Sequence, residues 1–142
     1  MIGKPLRQRI GQQAGQRCGY CQTQERISGI PLTIEHILPR SLGGANEEDN
    51  LWLSCRLCNE AKGVLVEAVD PASGEVTAIF NPRTQSWYDH FAWSTGGDEI
   101  LGLTSTGRAT IAALSLNSDF RVRSRRLWVE AGYHPPGLRR SA

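Results

Sequence analysis

The chain has 142 residues, of which 39% are hydrophobic and 21% charged, with a formal net charge of +2. Those totals suit one soluble globular domain, or one domain with an extension. They exclude a membrane-spanning helix, since no apolar run approaches the required length, and the polar, basic start of the chain lacks the apolar stretch of a secretory signal.

A cytoplasmic, reducing setting is therefore expected, and there paired cysteines hold metal more often than they form disulfides. The net charge alone argues only weakly for a nucleic-acid partner. The kind of cation says more: Lys4 and Lys62 are the only lysines, and every other basic residue is arginine. Arginine presents a planar fork that grips phosphate with two bonds, although a compositional bias explains the same count.

In chain order, residues 5–16 read as a short helix, weakened by Gly11 and Gly15. Residues 18–21 read as a ligand-bearing turn. Residues 31–38 carry β-branched residues in partial alternation and predict a strand ending near His36, where Pro39 stops the pairing. Residues 41–50 are a loop rich in Gly, Asn and acids. Residues 51–54 predict a second strand, and 55–63 a helix stopped by Gly63.

The texture then changes. Residues 70–74 form a turn, and 75–80 and 87–93 predict antiparallel strands joined through Asn81-Pro82-Arg83. Residues 99–103 add a third strand. Residues 106–116 predict a helix capped by Thr106. Residues 118–131 predict another, capped by Ser118, with Phe120, Leu127, Trp128 and Ala131 on one face. The fold class is α+β, with a core over residues 1–66 and an extension over 67–142 packed on it.

All four cysteines lie in two C-x-x-C pairs, Cys18/Cys21 and Cys55/Cys58. Four thiolates at tetrahedral angles suit a structural Zn²⁺, and two such turns would close the loop between them. The other readings are a disulfide pair and a redox C-x-x-C, and the latter lacks its usual βαβ context. Between and beside the pairs stand Glu35, His36, Asn50 and Asn59. Neighbours on a strand point to opposite faces, so Glu35 can hold a metal while His36 faces a water. A carboxylate and the amide oxygen of Asn59 suit Mg²⁺ or Mn²⁺. A histidine titrating near neutrality suits proton transfer from water, and Asn50 is placed to bond the loop and fix the His36 rotamer.

Together, Cys18-x-x-Cys21, the Ile34-Glu35-His36-Ile37-Leu38-Pro39 run, Gly43-Gly44, Asn50-Leu51 and Cys55-x-x-Cys58-Asn59-x-x-Lys62 resemble the HNH endonucleases of the zinc-supported ββα-metal type. The resemblance spans roughly residues 15–63. It implies a two-strand-plus-helix (ββα-metal, treble-clef-like) core, one catalytic divalent cation, and DNA cleavage to 5′-phosphate and 3′-hydroxyl ends. It makes Glu35 the acidic metal ligand, His36 the general base, Asn50 the structural Asn, and Asn59 the second metal ligand. The acid is Glu where Asp is also common, and the last motif letter is Asn rather than His, which favours a hard ion.

Arg40, Arg56 and Lys62 are the candidate phosphate contacts beside the site. Arg121, Arg123, Arg125 and Arg126 form a second basic cluster that is either solvated or DNA-facing. His90 and His134 carry no assigned role, and Trp87, Tyr88, Phe91 and Trp93 read as packing before base stacking. The expected partner is DNA, with no membrane and no organic cofactor, and the sequence leaves the oligomeric state open. The other classes open to this sequence are a zinc-stapled nucleic-acid-binding module that does not cut, and a protein-interaction module.

Overall fold

The computed structural model describes residues 2–137. Helix α1 (Lys4–Gln13) opens the chain, with Pro5 in its first turn, where a missing N–H leaves no helical bond unmade. It stops short of residue 16 because Gly15 and Gln16 adopt positive φ values of 66° and 55°. The turn at Cys18–Cys21 follows, then a four-residue helix that the sequence does not announce, α2 (Glu25–Ser28).

Strands β1 (Thr33–His36) and β2 (Leu51–Ser54) pair antiparallel, with Glu35 opposite Trp52 and His36 opposite Leu51. The loop between them folds back so tightly that a Cβ on Gly44 would lie 1.7 Å from the Leu38 carbonyl oxygen, so only glycine fits there. Helix α3 (Arg56–Lys62) comes next. Cys55 caps it, its Sγ accepting from the Cys58 N–H at 3.4 Å, and Gly63 follows its last turn.

In the extension β3 (Glu67–Val69), another unannounced element, pairs with β4 (Val76–Ala78) across the turn at Asp70. A helical turn, α4 (Trp87–His90), leads into β5 (Phe91–Trp93), which pairs with β6 (Ile100–Gly102). Helices α5 (Ser105–Leu114) and α6 (Asp119–Glu130) complete the described fold. The class is α+β, built on three two-stranded antiparallel sheets.

One hydrophobic cluster joins both parts of the chain. Ile10, Tyr20, Leu51 and Leu53 pack with Phe80, Trp87, Phe91, Ile100, Leu114 and Leu116. The Trp87 Nε1–H donates to the Tyr20 carbonyl at 2.9 Å, tying the extension to the turn that carries the first cysteine pair. Asp70 is fully buried and accepts two bonds from Arg108 of α5, at 3.0 and 2.9 Å, which fixes α5 over the β3–β4 turn.

Three expectations are corrected. Residues 87–93 are not one strand, because Trp87 and Phe91 stack at 5.0 Å across a helical turn before the chain extends. Alternation and i, i+4 spacing coincide in that run, so the pattern alone does not separate them. The cap of α5 is Thr104, whose Oγ1 accepts from the Gly107 N–H at 3.0 Å, while Thr106 lies inside the helix. Most telling is α6. Its expected inner face is turned out, with Phe120 67% and Leu127 62% exposed, and its buried residues are Arg121 and Arg125.

His134 is buried against the edges of Trp93 and Trp128, with ring centroids 4.5 and 5.9 Å away, and its Nε2 has no hydrogen-bond partner among the described residues. Burial, with a smaller push from Arg125, lowers its pKa from 6.5 to about 4. The folded value lies below the unfolded one, so this group's stability is complete above about pH 6.5 and is lost as pH falls toward 4. The full effect is about 3 kcal/mol. The melting temperature should therefore fall between pH 6.5 and 5, where ordinary carboxylates remain ionised. His134→Phe, which keeps an aromatic edge in place, should flatten that slope; an unchanged slope would contradict the assignment.

Candidate metal centre and reactive strand

The backbone brings the two cysteine turns together. The Gly19 N–H donates to the Leu53 carbonyl at 3.0 Å, so the first turn is stitched to the end of β2, from which the second begins. The four Sγ atoms lie within 4.8 Å of one another, and Cys21 and Cys55 are 3.6 Å apart. A tetrahedral zinc at about 2.3 Å from each sulfur requires sulfurs about 3.8 Å apart. All four cysteines are free of disulfides. The cluster therefore fits a structural zinc site.

The thiols also show why a cation belongs there. Burial pushes the Cys18 and Cys58 pKa values well up, while thiol hydrogen bonds pull those of Cys21 and Cys55 down. A metal that displaces the thiol protons converts all four sulfurs into ligands. Arg121 of α6 donates from Nη1 to the Cys58 Sγ at 3.3 Å.

The β1 strand divides Glu35 from His36 as its pleat requires. Glu35 points inward and is 2% exposed. Its Oε2 accepts a short bond from the Tyr20 hydroxyl and lies 3.4 Å from Lys62 Nζ. Burial raises the Glu35 pKa, opposed first by the Lys62 charge and then by the Tyr20 bond. No hydrogen bond engages its Oε1 among the described residues.

The expectation that Lys62 grips phosphate is corrected by this arrangement. Lys62 is also 2% exposed, and its Nζ donates to the Ile37 and His36 carbonyls at 3.1 and 3.5 Å. It is an internal cation that fastens α3 to the end of β1. Asn59 lies one helical turn before it, on the same side of α3, exposed and with no side-chain hydrogen bond among the described residues. The two other phosphate candidates are exposed; Arg56 pairs with Glu60 at 3.0 Å, and Arg40 makes no ion pair among the described residues.

His36 is half-buried, and its Nε2 lies 2.6 Å from Asn46 Oδ1. Asn50 does not touch the imidazole. Its Oδ1 accepts from the Leu38 N–H at 2.8 Å, and its Nδ2 donates to the Leu38 and Ala45 carbonyls, both at 3.0 Å. Asn50 thus clasps the loop, and the loop presents Asn46 to the histidine. Sequence reasoning missed Asn46 and Tyr20. Asn46 is one of several loop polar residues, and Tyr20, between two cysteines, is a core aromatic by any hydropathy rule.

The HNH endonuclease family model matches residues 18–64, the stretch from the first cysteine to just past α3. The matched segment is similar to an HNH domain. Comparisons with curated proteins and with solved structures returned no significant match. The HNH match points to nucleic-acid cleavage or binding, and the cysteine cluster to zinc. Among the described residues no helix is long and apolar enough to cross a membrane.

The Glu35–Lys62 pair yields a test. Removing one partner strands the other charge in the interior, which costs about 3–5 kcal/mol, whereas removing both does not. Lys62→Met should therefore destabilise the fold strongly, and Glu35→Gln with Lys62→Met should recover much of the loss in denaturant titrations. Equal stability of the parent and the Lys62→Met variant would contradict the pairing.

Proposed function

We propose that the protein is a metal-dependent HNH endonuclease that hydrolyses DNA phosphodiester bonds, with β1, β2 and α3 as its ββα-metal core. The observation that carries this reading is the state of His36. Its Nε2–H donates to Asn46, so the lone pair at Nδ1 is free to accept a proton. The imidazole sits on a strand held by the cysteine cluster at one end and by Asn50 and Lys62 at the other. Such support keeps the ring in one orientation.

Glu35 and Asn59 are the proposed holders of Mg²⁺ or Mn²⁺. Both offer an oxygen free of hydrogen bonds, which suits a hard ion in kind. When bound, such an ion stabilises negative charge on a phosphate oxygen and on the departing 3′ oxygen. The chain's own groups do the rest. His36 Nδ1 takes the proton of the attacking water, and Asn46 Oδ1 holds the opposite nitrogen and steadies the positive charge that the ring acquires. Arg40 and Arg56 are exposed and are the proposed contacts to backbone phosphates, for which Arg56 exchanges its surface pair with Glu60. The unpaired thiols favour a reducing, cytoplasmic setting.

A second reading has one specific observation behind it. Glu35 is buried and already engaged by Tyr20 and Lys62, as a zinc-stapled module that binds nucleic acid without cutting would permit. Plasmid nicking in Mg²⁺ or Mn²⁺, paired with a gel-shift assay, separates the two. The endonuclease reading expects cation-dependent nicking that falls by about a thousand-fold in His36→Ala, with zinc content and fold retained. Binding without nicking in either cation supports the second reading. Parent-level nicking by His36→Ala would remove the histidine from the mechanism.

A further inference from the structure

Helix α6 is docked the wrong way round for a hydrophobic helix. Phe120 and Leu127 face solvent, while Arg121 and Arg125, four residues apart and so on one face, are 8% and 2% exposed. Buried arginines need partners. Those of Arg125 are neutral: the carbonyls of Leu116 and Asp98, the latter at 3.0 Å, and Asn117 Oδ1 at 3.2 Å. Arg121 has a different partner. Its Nη1 lies 3.3 Å from Cys58 Sγ, and it forms no ion pair with a carboxylate among the described residues. Arg126, by contrast, pairs with Asp98 at 3.0 Å near the surface.

A zinc ion with four thiolates carries roughly two excess negative charges. An adjacent guanidinium offsets part of that excess, and a hydrogen bond to sulfur stabilises the thiolate form that binds metal. Neutral thiols offer a buried guanidinium much less. Each side is therefore costly without the other. We infer that Arg121 is the charge partner of the zinc–thiolate cluster and that α6 is latched to the HNH domain through it, so that metal loading and docking of the C-terminal helix form one linked equilibrium.

The surroundings support the linkage. A cavity of about 280 Å³ lies between α6 and the HNH domain, lined on one side by Cys21, Cys55 and Leu57 and on the other by Phe120, Arg121 and Trp128. The cysteines thus face the joint that α6 covers, and loosening the helix opens a path to the metal. Linkage is reciprocal: whatever weakens α6 docking speeds metal loss, and metal loss loosens α6.

The test uses the full zinc-loaded chain. Arg121→Met should release zinc to a chelating dye at least about ten-fold faster than the parent, with Arg121→Lys closer to the parent. Exposed Arg123→Met is the control and should match the parent. Hydrogen exchange at residues 119–130 should quicken in Arg121→Met, with β1 and β2 unchanged. In the cobalt-substituted protein, loss of the N–H···S bond should move the thiolate-to-cobalt charge-transfer band to lower energy, which a packing defect alone would not do. Should Arg121→Met fail to fold, Arg121→Gln, neutral and still polar, is expected to give the same faster release. A folded neutral variant with parental release, exchange and band position would overturn the inference. A parent that takes up no zinc would overturn it too, by removing the metal itself.

Discussion

Four sulfurs that lie within 4.8 Å of one another join the two ends of the segment that matches the HNH model. The β1–β2 sheet has only four residues in each strand, and a two-stranded sheet of that size is marginal in water. Closing the two C-x-x-C turns on one another fixes both ends of the segment that contains it. The remaining contacts work inside that boundary. The Gly19–Leu53 bond aligns the first turn with β2, and Asn50 clasps the loop between the strands. A zinc ion held by these four sulfurs would do for the chain what a larger apolar core does elsewhere.

The interior carries more charge than such a small protein usually tolerates. Glu35 with Lys62, Asp70 with Arg108, and Arg121 against the cysteines are each buried on at least one side. Such pairs contribute little net stability but make wrong packings expensive. Each one also joins elements distant in sequence. Lys62 ties α3 to β1, Arg108 ties α5 to the β3–β4 turn, and Arg121 ties α6 to the cysteine cluster. The orientation of the elements around His36 follows from these ties as much as from apolar packing.

The two strands, the helix after them and the cysteine cluster were legible because their signals are local. Turn residues, β-branched runs and ligand spacing act over a few positions. The side-chain partners were not legible. Hydropathy placed Phe120 and Leu127 on the inner face of α6, whereas the buried face carries Arg121 and Arg125, whose partners include Cys58 Sγ and the Asp98 carbonyl, positions remote from them in sequence. Lys62 looked like a phosphate contact because a helix-end lysine usually is solvated, and only the fold reveals Glu35 and two carbonyls waiting for it. Asn46 escaped notice because its meeting with His36 depends on how the loop folds back at Gly44.

The proposed function divides labour between two kinds of metal site, thiolates that would shape the domain and oxygen donors that would serve the reaction at His36. Anomalous diffraction from a crystal soaked in Mn²⁺, collected at the zinc and manganese edges, addresses it most directly. The proposed function predicts a zinc peak among Cys18, Cys21, Cys55 and Cys58, and a separate manganese peak between Glu35 and Asn59. A zinc peak alone, with Glu35 still closed on Tyr20 and Lys62 at saturating Mn²⁺, would contradict it.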